Sequence, residues 1–308
     1  MSTDSTNNSS TNNEPTQSAT VAALLGFWFE FKQNKGALYG LVFISILAFV
    51  AIFADFISPY SPIEQYRDVL KLPPVWAEGG SWTHLFGTDA LGRDQLSRMI
   101  YGSRYSFYIG FIVIFFCLTI GVVLGLVAAF NKGFIENFIM RLMDIILAFP
   151  SLLMALALVA ILGPSLENAM IAIAVVFIPH FVRLTRAQAL SELGKDYVSS
   201  SKTMGASTAR LMFINVLPNC MAPLIVQATM SFSSAILDAA ALGFLGMGAQ
   251  PPSPEWGTML ADSRQYILSD PWMMAVPGLA ILFTVLSINL IGDGLRDALD
   301  PKMKKSKT

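Results

Sequence analysis

Six long stretches carry no Asp, Glu, Lys or Arg: residues 36–54, 105–131, 145–166, 168–182, 211–237 and 271–292. A helix needs about 20 apolar residues to cross roughly 30 Å of hydrocarbon. In lipid every backbone polar group must be satisfied internally, so only helices and closed barrels can span. The runs here are continuous rather than alternating, which selects helices over a barrel. The expected class is an all-α integral membrane protein with about six transmembrane helices. Composition agrees: 13% of the 308 residues are charged, against about 25% in an ordinary soluble domain.

The fourth run has only 15 residues. It either continues past Val182, with Arg183 and Arg186 snorkelling to the interface, or forms a re-entrant segment. The stretch from Phe134 to Gly163 is too long for one perpendicular span, so its first turns are expected at the inner surface. Asp144, three residues after Arg141, can pair with it on one helix face. Proton transfer at Asp144 is the alternative.

Orientation follows the bias of Lys and Arg towards the cytoplasm. With the N-terminus inside, fourteen of the 20 basic residues fall on the cytoplasmic side and six outside. Both termini are therefore expected in the cytoplasm. The expected layout has a disordered tail over 1–19, rich in Ser, Thr and Asn. An interfacial helix follows over 20–35, carrying Val21, Leu24, Leu25 and Trp28 at helical spacing. A plain extension of the first span is the alternative. The membrane domain then covers 36–293, and a basic cytoplasmic C-terminus covers 294–308. No cleavable signal peptide is visible.

Two large outer loops, 58–104 and 243–270, either bind a soluble partner or cap the bundle. The cytoplasmic loop 183–217 contains finer signals. Asp196 can cap a helix running to Met204, Gly205 suits a positive-φ position after it, and Ser207 can cap a second helix from Thr208. This helix–turn–helix either transmits motion from a partner or is an ordinary loop. Asp238 follows 27 uncharged residues and should emerge near the outer face. It is a candidate for a gate or for substrate contact, or else anchors a loop.

Much chemistry is missing. The pair Gly194-Lys195 is followed by Asp196, and Ala189 stands where a phosphate-binding loop needs glycine. His84 and His180 are isolated, and Cys117 and Cys220 lie far apart, so no metal cluster is expected. No catalytic constellation is found. A net charge of −1 argues against nucleic-acid binding.

Asp196-Tyr197-Val198, Gly205-Ala206-Ser207 and Leu217-Pro218-Asn219 together resemble the cytoplasmic signature loop of the bacterial ABC importer permease family. Four further blocks point to its oligopeptide/dipeptide branch, nearest to the second permease subunits. They are Phe86-Gly87-Thr88-Asp89 with Gly92-Arg93-Asp94; the run 241–246; Pro254-Glu255-Trp256-Gly257; and the run 292–297 with Leu299-Asp300-Pro301. The resemblance covers about residues 25–303. One departure is clear: Ser199, Ser200 and Ser201 stand where the family usually has Glu-Ala-Ala, which removes a charge.

The resemblance implies a type I ABC importer permease fold and transport of dipeptides or short peptides. It implies a second homologous permease, two ATP-binding subunits that hold ATP and Mg, and an extracytoplasmic peptide-binding protein, with no cofactor on this chain. Ser199, Ser200, Ser201, Lys202, Met204, Gly205, Ala206, Ser207 and Thr208 would face an ATPase. Asp89, Arg93, Asp94 and Trp256 lie in loops that would receive the binding protein. A permease of the same fold for a nickel complex or a longer oligopeptide is an alternative, as is an ion-driven transporter.

Overall fold

The computed structural model describes residues 19–299, with side chains from residue 25. The expected tail before residue 19 and the basic segment after residue 299 lie outside the described residues. Helix α1 (Ala19–Gln33) ends at Asn34, whose φ of −82° and ψ of 96° break the helix. Asn34 then caps α2 (Lys35–Ile52) by accepting from the Ala37 N–H at 3.1 Å. The α1 segment is thus separate from the first span.

A short α3 (Ala54–Ile57) leads into an irregular loop, followed by α4 (Gln95–Phe130), α5 (Phe134–Leu147), α6 (Ser151–Leu162) and α7 (Leu166–Leu193). Next come α8 (Asp196–Thr203), α9 (Thr208–Arg210), a π-helical stretch (Leu211–Val216) and α10 (Leu217–Phe244). The chain closes with α11 (Trp256–Ser263) and α12 (Trp272–Leu299).

Five of these helical segments are long and apolar enough to cross a membrane, and the bent pair α5–α6 can supply a sixth crossing. The packing shows why six are needed. Gly121 of α4 sits against Phe181 of α7, and Gly125 against Thr185. Residue numbers rise together along both helices, so α4 and α7 run parallel. The chain between them must therefore return, and α5–α6 is that return. By contrast α12 runs antiparallel to α2, with Gly36 near Leu290 and Gly40 near Ser287. Asn34 Nδ2 donates to Asp297 at 3.1 Å, which puts the start of the first span beside the end of the last.

The fourth run continues past Val182 as expected, in an α7 unbroken to Leu193, and the break falls instead within the third run, where α5 and α6 meet at 92°. Pro150 cannot donate a backbone hydrogen bond, so the turn before α6 is a natural breakpoint. Asp144 pairs with Arg183 of α7, not with Arg141. Helix α5 lies along α7, and Glu136 likewise takes Arg186 Nε at 2.8 Å. The two arginines of α7 thus have acidic partners as well as long stems. Finally, the loop expected to reach residue 104 ends at Asp94, because α4 begins at Gln95 and carries Arg98 and Arg104 within it. Charges end an apolar run without ending a helix.

The main core joins α4, α6, α7 and α10 through Val113, Cys117, Leu126, Val159, Phe181 and Leu224. Small residues let the backbones approach. A Cβ added at Gly125 would meet Thr185 Cβ at 2.6 Å and the Val182 carbonyl at 2.8 Å. Gly121 and Gly125 form a GxxxG pair, the spacing that lets membrane helices pack closely.

Candidate functional site

The link between α7 and α10 is a compact knob. Helix α8 begins at Asp196 itself, with Lys195 in the cap position and no side-chain cap bond, so Asp196 is not the cap. Its C-terminus closes as a Schellman motif. The Ala206 N–H donates to the Ser201 carbonyl at 3.1 Å, and the Gly205 N–H to the Lys202 carbonyl at 3.0 Å. Gly205 has φ of 87°, the left-handed conformation that glycine adopts without a Cβ penalty. Ser207 Oγ then accepts from the Arg210 N–H at 3.3 Å, capping α9 as its position suggests. The second helix is only one turn before it merges into the π-helical stretch and α10.

The knob is anchored on one face. Val198 is buried in the main core. Glu192 at the end of α7 is 7% exposed and accepts from Lys195 Nζ at 2.6 Å and from Tyr197 Oη at 2.7 Å. Asn219 of α10 donates to Tyr197 Oη at 3.1 Å and to the Asn215 carbonyl at 2.8 Å. Asn215 Nδ2 donates to Ser201 Oγ at 3.0 Å. Burial, and then the hydrogen bond to Glu192, push the Tyr197 phenol up to about 12, so it stays a proton donor.

The opposite face is open. Ser199, Ser200, Lys202, Met204, Gly205, Ser207 and Thr208 are exposed, while Ser201 and Ala206 are half-buried. Met204 is 81% exposed at the tip. The signature-loop residues therefore form one arc on a stiff support. Ser201, where the family usually has a small apolar residue, holds the knob to Asn215. Glu192, unremarked in the sequence, brings a carboxylate to the root of the loop. Its spacing to Lys195 and Tyr197, three and five residues, was the available signal.

A cavity of about 720 Å³ opens beside the knob, lined among others by Gln188, Glu192, Asn219, Gln227 and Arg296. It lies between the ends of α7 and α12 and the start of α10.

The other end of the bundle is built from the long loops. Asp89 accepts from Arg93 Nε at 2.5 Å and from the N–H groups of Leu91 and Arg93, both at 2.9 Å. Arg93 reaches Asp262 of α11 at 3.4 Å. Arg98, 1% exposed, donates to the carbonyls of Pro62 at 3.1 Å and Pro252 at 3.4 Å. Asp94 caps α4 and meets His84 Nδ1 at 2.8 Å. Trp256, also 1% exposed, donates to the Met99 carbonyl at 3.2 Å.

The four loop residues singled out from sequence, Asp89, Arg93, Asp94 and Trp256, thus point inward. Arg93 ties the first loop to α11, Trp256 ties α11 to α4, and Asp89 and Asp94 brace the first loop internally, so any partner on this end would meet their neighbours. Truncating Trp256 to Ala should cost about 3–5 kcal/mol, the range for a fully buried aromatic. Limited proteolysis should then cut the segment 245–270 faster in the variant than in the wild type. Unchanged cutting would show that the tryptophan does not hold these loops. Asp238 lies on α10, half-buried, without hydrogen bond or ion pair among the described residues.

Residues 121–305 match the family described as binding-protein-dependent transport system inner membrane component. Residues 24–74 match the N-terminal TM domain of oligopeptide transport permease C. The chain is 60% identical to a di/tripeptide transport system permease protein of Pseudomonas aeruginosa, over 91% of this chain and 92% of that one. It is also 60% identical to a dipeptide transport system permease protein of Escherichia coli K12, over 92% and 95%. Among solved structures, an inward-facing MetNI methionine ABC transporter chain is similar, with a TM-score of 0.54 at 20% identity, over 67% of this chain and 97% of that one.

Proposed function

Because the chain belongs to the inner membrane component family of binding-protein-dependent transport systems, and is a multi-pass permease of the ABC importer type, we propose that it forms half of a membrane pathway for dipeptides or short peptides. The other half is a second homologous permease. ATP and Mg are held, and ATP is hydrolysed, on two separate subunits, and a peptide-binding protein delivers cargo on the opposite side. Both chain ends and the knob face the cytoplasm, in line with the basic residues gathered there.

One observation carries this reading: the arc from Ser199 to Thr208 is largely exposed while the helix beneath it is fastened to α7 and α10. An exposed tip on a stiff support can pass a push from a soluble ATPase into two membrane helices. Closure of the ATPases on ATP would then bias a two-state equilibrium between inward-facing and outward-facing permeases. At the other end, the loops braced by Asp89, Arg93, Asp94 and Trp256 present a preformed surface for the binding protein.

The test is ATP hydrolysis in proteoliposomes containing this chain, its partner permease, the ATPases and the binding protein. A dipeptide should stimulate hydrolysis, and omitting this chain should abolish the stimulation. An intact complex that no short peptide stimulates would remove the peptide cargo from the proposal.

A further inference from the structure

Helix α10 crosses the apolar layer with one face that lipid does not satisfy. Gln227, Ser231, Ser234 and Asp238 recur every three or four residues, so they share a face. Gln227 Nε2 donates to Ser231 Oγ at 3.1 Å, and Ser234 Oγ donates to the Met230 carbonyl of its own helix at 3.2 Å. Asp238 has no such partner among the described residues. Other faces of α10 are already taken. Ser233 donates to Asn289 of α12 at 2.5 Å, and Phe232 packs on Gly110 of α4.

The stripe has two distinct ends. Gln227 lines the cavity of about 720 Å³ beside the knob. Asp238 lies eleven residues on, roughly 16 Å further along the helix at 1.5 Å per residue. An ionisable side chain in a spanning helix faces a water-filled path or a charged partner rather than lipid. A peptide has a free α-ammonium at neutral pH, a compact cation that a single carboxylate can hold.

Resting on the peptide reading above, we propose that this face of α10 is the chain's own wall of the pathway and that Asp238 receives the α-ammonium of the passing peptide. The exposed Ser234 and the half-buried Gln227, held by the buried Ser231, offer hydroxyl and amide groups to the peptide bond as it moves towards the cavity. The carboxylate favours cargo with a free amino end over cargo without one.

The experiment uses the full complex in proteoliposomes with a labelled dipeptide. Asp238→Asn should lower uptake about tenfold, while ATP hydrolysis stimulated by the loaded binding protein stays within about twofold. Asp238→Glu should recover most of the uptake. In Asp238→Cys, a small water-soluble thiol reagent should react during turnover, and added dipeptide should slow it. The buried Cys117 and Cys220 provide a quiet background.

Normal uptake by Asp238→Asn would overturn the ammonium contact. Dissociation of the Asp238→Asn complex, with no labelling of the cysteine variant, would assign Asp238 to an ion pair with the second permease instead. If the wild-type complex imports no dipeptide, the peptide reading fails first, and this inference falls with it.

Discussion

Gly205→Val is expected to insert and assemble normally yet to lose about nine-tenths of its substrate-stimulated ATP hydrolysis, equivalent to about 1.4 kcal/mol of coupling. The reason is local. Gly205 has φ of 87°, and the Schellman turn around it aims Met204 and Ala206. A side chain in that conformation costs roughly 1–2 kcal/mol, and β-branching makes it worse. A Cβ at this position meets nothing within 4 Å, so the chain itself has room and folding should survive. The strain is relieved by moving the turn, which displaces the exposed arc. Gly205→Asn should behave much more mildly, because asparagine tolerates the left-handed region. The measurement is stimulated hydrolysis per assembled complex for both variants. Equal and normal rates for Gly205→Val would mean that the turn does not transmit the signal.

Gly121→Leu should fail for the opposite reason, by preventing α4 and α7 from meeting. A Cβ there overlaps Phe181 Cβ, an atom fixed to the α7 backbone that no rotamer can move away. Overpacking of this kind typically costs about 1–3 kcal/mol, and the larger side chain of leucine should reach the top of that range. The expected readout is a sharp loss of the monodisperse complex in detergent and a lower melting temperature for what remains. Gly26→Ala is the control, since a Cβ at Gly26 meets nothing within 4 Å. If Gly121→Leu melts like Gly26→Ala, the close crossing of α4 on α7 does not hold the bundle together.

The two glycines act in different layers of the molecule. Gly121 acts on packing, and its loss should remove structure and function together. Gly205 acts on an exposed turn, and its loss should remove coupling while leaving structure. Tyr197 stands between them, because it ties the knob to both α7 and α10.

Within the candidate site, the positive φ at Gly205 and the cap at Ser207 were readable from sequence, because each depends on one residue and its immediate neighbours. The start of α8 was less readable. Asp196 suits a cap by type, but Lys195 takes that position. The anchoring of Tyr197 by Glu192 and Asn219 could not be read at all, since it needs α7 and α10 side by side.

What the sequence determined by itself is that about six segments can cross and that the start of the first and the end of the last lie at one face of the bundle. These follow from the length and charge of each segment, properties that run along the chain and need no knowledge of neighbours. The family blocks likewise stood in the residues as written. Only the tertiary structure decided which groups meet. Asp144 could reach Arg141 on its own helix, yet it pairs with Arg183, 39 residues away. Arg93 looked like a loop charge facing a partner, yet it turns inward to Asp89 and to Asp262, 169 residues away. A charge near a membrane must find a counter-charge, a hydrogen bond or water. Which of these it finds depends on the helix that packs beside it, and that choice is made in three dimensions.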